Sequence, residues 1–216
     1  MSLLVGLTGG MGSGKTLAAS FFKDLGAFIL DADLICHQLV EPGQPALKEI
    51  AEKLGEEILS ASGSSGGSEG LDRKKLAEIV FNNPEKKRIL ESILHPRVFE
   101  FEKLEYEAIR KEQPNAVVIV DAALLIESGN YKNMDKVVVV NSDDKIRINR
   151  ILARGQWNSD EITVRIKNQM SSDEKLRYAD FVLENSSDKD SLRSQVNDLH
   201  TKLALLAAEN VEKSAP

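Results

Sequence analysis

The chain has 216 residues, 42% of them hydrophobic and 29% charged, with a formal net charge of −6 at pH 7. That length allows one core with room for a small subdomain, and the composition is ordinary for a soluble globular protein. The negative balance argues against a nucleic-acid partner, the single cysteine (Cys36) excludes an intrachain disulfide, and three separated histidines (His37, His95, His200) give no support to a Cys/His zinc site.

Leu3-Leu4-Val5-Gly6-Leu7 predicts a short buried strand, and residues 17–25 predict a helix. Between them, Gly9-Gly10-Met11-Gly12-Ser13-Gly14-Lys15-Thr16 fits the phosphate-binding pattern G-x-x-x-x-G-K-[ST]. Glycines let the backbone curl so that successive N–H groups point at phosphate oxygens, and the new helix adds its positive end. Lys15 is expected to reach the β- and γ-phosphates, with the Thr16 hydroxyl on Mg²⁺. The loop thus predicts a nucleoside triphosphate and leaves the acceptor open. No basic segment and long apolar run precede the first strand. No secretory leader, no membrane partner and a reducing cytoplasmic setting are therefore expected.

Gly26 is placed to close the first helix, and residues 27–30 predict a second strand followed by Asp31-Ala32-Asp33. Asp31 and Asp33 both fit an N-cap of a helix at residues 34–40. Asp33, two residues further, also fits a base that orients an acceptor hydroxyl beside a γ-phosphate. Ala46, Leu47, Ile50, Ala51 and Leu54 recur at helical spacing, and residues 60–70 form a Ser/Gly-rich stretch expected to be a mobile loop. Helical patterns follow at residues 72–81, 84–94 and 96–111, with a joint at His95-Pro96.

Ala116-Val117-Val118-Ile119-Val120 predicts a strand buried on both faces, ended by Asp121, and residues 136–140 predict another. An acid after such a run is a candidate for holding Mg²⁺, directly or through water. A helix from Ser142-Asp143 to about residue 154 presents Arg147, Arg150 and Arg154, and another helix is expected over residues 159–170 with Arg165 and Lys167. These read either as a solvated face or as a lid carrying arginines to phosphates, a task their planar fork suits. A short strand at residues 181–183 and a terminal helix with Leu192, Val196, Leu199, Leu203 and Leu206 on one stripe complete the pattern.

Alternating strands and helices predict an α/β fold: a three-layer parallel-sheet core of the P-loop NTPase type. The long helical stretch between the second and third strands predicts an inserted acceptor subdomain. The expected boundaries are residues 1–33, 115–142 and 179–216 for the core, 34–114 for the acceptor subdomain and 143–178 for the lid. In such sheets ligands sit beyond the carboxyl ends of the strands, where the glycine loop, Asp31, Asp33 and Asp121 converge.

These residues together resemble the dephospho-CoA kinases. The resemblance rests on residues 8–15, Asp31-Ala32-Asp33 with Val40-Glu41-Pro42-Gly43, and Leu94-His95-Pro96. It continues through Asp121-Ala122-Ala123-Leu124-Leu125-Ile126-Glu127, Arg165-Ile166-x-x-Gln169 and Ala179-Asp180 with Asn185. Ala123 stands where the family usually has proline, Ser186-Ser187 where it has glycine, and the Ser/Gly stretch is longer than the family's turn. The resemblance implies ATP- and Mg²⁺-dependent phosphorylation of the ribose 3′-hydroxyl of dephospho-CoA. It implies catalytic roles for Asp33, Lys15 and Arg150, and ATP binding by residues 9–16 with Arg150 and Arg154. Acceptor contacts would come from Asp33, His95 and Leu124, and the protein would be a monomer or weak homo-oligomer. The alternatives are another nucleoside or nucleotide kinase, or a GTP switch, whose guanine-reading Asn-Lys-x-Asp is absent.

Overall fold

The computed structural model describes residues 2–60, 70–81, 83–153, 155, 162, 166 and 169–212, with the side chains of 210–212 excepted. The chain divides into two compact units, Met1–Asp31 with Glu105–Pro216, and Ala32–Leu104.

The first unit is built on β1 (Leu3–Gly9), β2 (Phe28–Asp31), β5 (Val117–Asp121), β6 (Lys136–Asn141) and β7 (Phe181–Glu184). They form one sheet in the order β2-β5-β1-β6-β7, every neighbouring pair parallel. All of β1 and β5 is buried, the pattern of parallel strands covered on both faces. Leu3, Val5 and Leu7 point to one face, where α1 (Lys15–Asp24) and α8 (Lys189–Glu212) pack through Ala18, Phe22, Leu192, Val196 and Leu203. The stripe expected along the terminal helix is therefore core; burying each such side chain contributes about 1.5–3 kcal/mol. On the opposite face, the turn after β5 lies so close that a Cβ on Gly6 would sit 2.4 Å from Leu125 Cδ2. α6 (Asp144–Ala153) and α7 (Ser172–Leu176) complete this unit. Asp143 caps α6, its Oδ1 accepting from the Lys145 and Ile146 amides at 2.9 and 3.3 Å. The Ser142 hydroxyl donates instead to the Asn185 carbonyl at 2.9 Å.

The second unit comprises α2 (Ala32–Leu39), α3 (Pro45–Leu54), α4 (Arg73–Phe81) and the first part of α5 (Pro84–Glu112), with the antiparallel pair β3 (Leu59–Ser60) and β4 (Gly70–Leu71). Its own core joins Ile50, Leu54, Ile58, Leu76 and Ile93. The Ser/Gly-rich stretch lies outside the described residues between 61 and 69. The joint expected at His95-Pro96 is absent, because α5 runs through it. Proline removes one helical N–H, yet Ile93 and Val98 are buried on either side of it and hold the helix continuous. The Arg97 guanidinium also donates to the Ile93 carbonyl at 2.7 Å and pairs with Glu49 at 2.7 Å.

His200 of α8 lies 6.4 Å from the Phe22 ring, and burial pushes its pKa below the ordinary histidine value. His95 shifts the same way through burial, with Lys87 adding to the shift and Glu91 opposing it. A histidine whose folded pKa is lowered binds fewer protons folded than unfolded just below pH 6.5. Stability is then fully present above that pH and lost as pH falls toward the folded values. The thermal midpoint should drop by a few degrees between pH 7 and pH 5, and His200→Gln should flatten that slope. An unchanged slope in the variant would remove His200 from the account.

Candidate active site

β1 ends at Gly9 and α1 begins at Lys15, so residues 10–14 form the turn between them at the carboxyl edge of the sheet. Gly12 (φ +79°) and Gly14 (φ +94°) occupy the left-handed region that favours glycine. Around the turn, a Cβ would collide at each glycine: 2.5 Å from Ser13 Oγ at Gly9, 2.7 Å from the Arg147 guanidinium at Gly10, 2.8 Å from the Arg147 carbonyl at Gly12. At Gly14 it would lie 2.1 Å from Asn185 Nδ2, which donates to the Ser13 carbonyl at 2.7 Å. Gly14→Ala combines backbone strain with displacement of Asn185. It should lower the thermal midpoint and weaken ATP binding about tenfold, or 1.4 kcal/mol, in calorimetry. An unaltered affinity would show that the loop tolerates a wider turn than its geometry indicates.

Lys15 opens α1, and its ammonium donates to the Asp121 carboxylate. Their side chains are 14% and 6% exposed, so the pair is shielded from solvent and screening is weak. Parallel register explains the meeting: Leu7, two residues before the end of β1 at Gly9, lies opposite Asp121. Asp31, the last residue of β2, lies opposite Asp121 on its other side. Thr16 presents an exposed side chain in the first turn of α1. Ser13 Oγ is buried and finds no hydrogen-bond partner among the described residues. Hard oxygen donors of this kind, one or two from protein with the rest from phosphate, suit Mg²⁺. Thr16 and Asp121 therefore fit such an ion, although no cluster of three or more metal-ligating side chains occurs among the described residues.

The arginines of α6 divide in role. Arg147, buried, donates through Nε to the Met11 carbonyl at 3.0 Å and through Nη1 to Asp144 at 2.7 Å and Ser172 at 2.5 Å. It fastens the glycine turn from behind, a task the sequence pattern did not separate from a lid role. Arg150 Nη1 donates to the Asn185 carbonyl at 2.8 Å and Ser142 Oγ at 3.3 Å. Arg154, Arg165, Lys167 and most of the helix expected over 159–170 lie outside the described residues. Gln169 Oε1 accepts from the Met11 amide at 3.2 Å. Leu124 is half-buried in the turn after Asp121, where its carbonyl accepts from the Ser128 amide at 2.9 Å.

Two residues that pattern reading left without a role, Asn185 and Lys175, are buried in the same unit. The signals available for Asn185 were its part in the family resemblance, which assigned it no role, and its place directly after β7. Lys175 carried none, since a lone lysine in a polar stretch reads as solvated.

In the second unit, Asp33 is exposed in the first turn of α2, two residues along the chain from the end of β2. The helix begins at Ala32, earlier than the pattern indicated, so Asp33 lies inside it rather than before it. His95 stacks on Phe99 with centroids 5.9 Å apart and an interplanar angle of 18°.

The dephospho-CoA kinase family model matches residues 3–191. The dephospho-CoA kinase of Bacillus licheniformis is 40% identical over 200 residues, covering 92% of this chain and 96% of that protein. The dephospho-CoA kinase of Aquifex aeolicus is 38% identical over 200 residues, with the same shares of 92% and 96%. Among solved structures, a Thermus thermophilus protein superposes with a TM-score of 0.76 at 29% identity, covering 94% of this chain and 98% of that one. The dephospho-CoA kinase of Campylobacter jejuni gives 0.69 at 27% identity with the same coverage, 94% and 98%.

Proposed function

The chain belongs to the dephospho-CoA kinase family, and from that premise we propose that it transfers the γ-phosphoryl group of ATP to the ribose 3′-hydroxyl of dephospho-CoA. The observation that carries the proposal is the meeting of a glycine-lined turn, Lys15 and buried Asp121 at the carboxyl ends of β1 and β5. Backbone N–H groups of residues 9–16 cradle the phosphates, as oriented amides at a helix start favour anions. Lys15 turns to the β- and γ-phosphates. Thr16 and Asp121 would hold Mg²⁺, which when bound would draw charge from the phosphate oxygens. Arg150 and Arg154 supply further positive charge from the lid segment, residues 143–178, with residues 34–114 serving as the acceptor subdomain.

Asp33 is the base. The acceptor oxygen bonds to the γ-phosphorus, the bond from that phosphorus to the β–γ bridging oxygen breaks, and the hydroxyl proton passes to the Asp33 carboxylate. ADP leaves with the electron pair of the broken bond. His95 and Leu124 contact the acceptor, a role their partial burial permits.

The test is an assay of ADP release with dephospho-CoA and with a panel of free nucleosides and nucleotides at equal concentration. Dephospho-CoA should stimulate release and gain one phosphate by mass. A clear preference for a free nucleoside overturns the acceptor assignment while leaving the kinase.

A further inference from the structure

Lys175 is the one lysine among the described residues whose side chain is fully buried, and it sits on α7, a five-residue helix. Its ammonium donates to the Ala123 carbonyl at 2.7 Å and to Glu127 Oε2 at 3.0 Å, with Thr8 Oγ1 at 3.5 Å. An ammonium has three N–H donors, and among the described residues three groups accept from this one. These acceptors belong to two chain segments that flank the phosphate site. Thr8 directly precedes Gly9, the first residue of the glycine pattern, and Ala123 follows Asp121 by two residues. The Thr8 hydroxyl also donates to the Ala123 carbonyl at 3.2 Å, so the segments already touch.

The support behind Lys175 is fixed in turn. A capping box between Ser171 and Glu174 starts α7, and the Met170 amide donates to Glu127 Oε1 at 2.9 Å. Burial pushes the Lys175 pKa below the ordinary lysine value, the Glu127 carboxylate opposes that shift, and the charges of Lys15 and Arg147 add to it. Taking an ammonium out of water is expensive, and an apolar residue of similar size would avoid the penalty. A methionine could fill the space but could not join the two segments.

We propose that Lys175 is a positioning residue: it clamps the end of β1 to the turn after β5, and so sets the separation of the glycine turn from Asp121 and the alignment of Lys15 between them. The inference rests on the kinase reading above. Its consequence is specific to the phosphate side of the reaction.

The experiment compares wild type, Lys175→Met and Lys175→Met/Glu127→Gln. The readouts are ATP affinity by calorimetry, kcat, KM for dephospho-CoA and thermal midpoint. Misplacement by an ångström can lower a rate roughly 10²-fold. Lys175→Met should therefore lower kcat between tenfold and about 10²-fold and weaken ATP binding about tenfold, with KM for dephospho-CoA within about threefold of wild type. The double variant removes both charges of the pair. It should regain most of the thermal midpoint while kcat and ATP affinity stay low. Recovery of kcat and affinity together with stability would overturn the proposal, since Lys175 would then only neutralise Glu127. Normal ATP affinity in Lys175→Met would overturn it too. Thr8→Val, which removes one acceptor without adding charge, carries the same prediction at smaller size should the single lysine variant not fold. Wild type that binds ATP but ignores dephospho-CoA defeats the acceptor reading alone, because ATP affinity still reads the clamp.

Discussion

Lys15→Met is expected to lower phosphoryl transfer by roughly 10²–10³-fold, the usual loss when one preorganised donor aimed at developing charge is removed. The helix start and the parallel register place this ammonium at the phosphate turn, with Asp121 already beside it. Charge grows on the β–γ bridging oxygen as the bond breaks, so a cation there acts more strongly in the transition state than on bound ATP. The decisive signature is a fall in kcat larger than the loss of ATP affinity. Methionine keeps the length and apolar volume of the lysine stem, so the fold of α1 should survive. Some stability should still be lost, because the Asp121 carboxylate loses a shielded cationic donor. A variant that keeps kcat within tenfold of wild type would show that Lys15 serves the fold through Asp121 rather than the chemistry.

Asp33→Asn should reduce kcat by about 10²–10⁴-fold, the range for removing a general base, while ATP affinity stays within a factor of about two. Asparagine keeps the size of the side chain and can still hydrogen-bond a hydroxyl, but it cannot take its proton. Asp33 is exposed and lies in the first turn of α2, so the substitution opens no cavity and strips no buried partner. Its effect on the thermal midpoint should be small, and any loss of turnover then reports chemistry. Near-normal turnover would remove the base assignment and leave the hydroxyl to lose its proton directly to phosphate or water.

The two substitutions fall on stretches of sequence that differed in legibility. The glycine pattern could be read directly because the conformation it requires is local: Gly12 and Gly14 sit in the left-handed region, where other residues are strained. The buried strands were nearly as plain, since short continuous runs rich in β-branched residues, such as Val117 to Val120, favour a strand shielded on both faces. The terminal helix followed from spacing, and Leu192, Val196 and Leu203 are fully buried as that spacing indicated. Pro96 misled because the rule it follows is also local, while the burial of Ile93 and Val98 on either side is not.

Arg147 and Arg150 show where local reading stops. They lie three residues apart on one helix, yet Arg147 holds the Met11 carbonyl and Arg150 the carbonyl of Asn185. No periodicity distinguishes them, because the difference depends on which distant backbone each guanidinium reaches. Lys175 is the extreme case: its acceptors lie 167, 52 and 48 positions away along the chain.

The sequence by itself determined that a phosphate-binding turn joins a buried strand to a helix, because those preferences are set within a few residues by sterics and periodicity. It also determined that parallel strands and helices alternate about that turn. Only the tertiary structure decided which buried polar groups serve it. Strand order brings β5 beside β1 and so sets Asp121 against Lys15, and chain folding carries α7 back so that Lys175 is buried between the two strand ends. The reason is one of range: an ion pair or hydrogen bond between remote segments exists only once loop closure and sheet pairing have made them neighbours, and nothing in the spacing of either segment records the other.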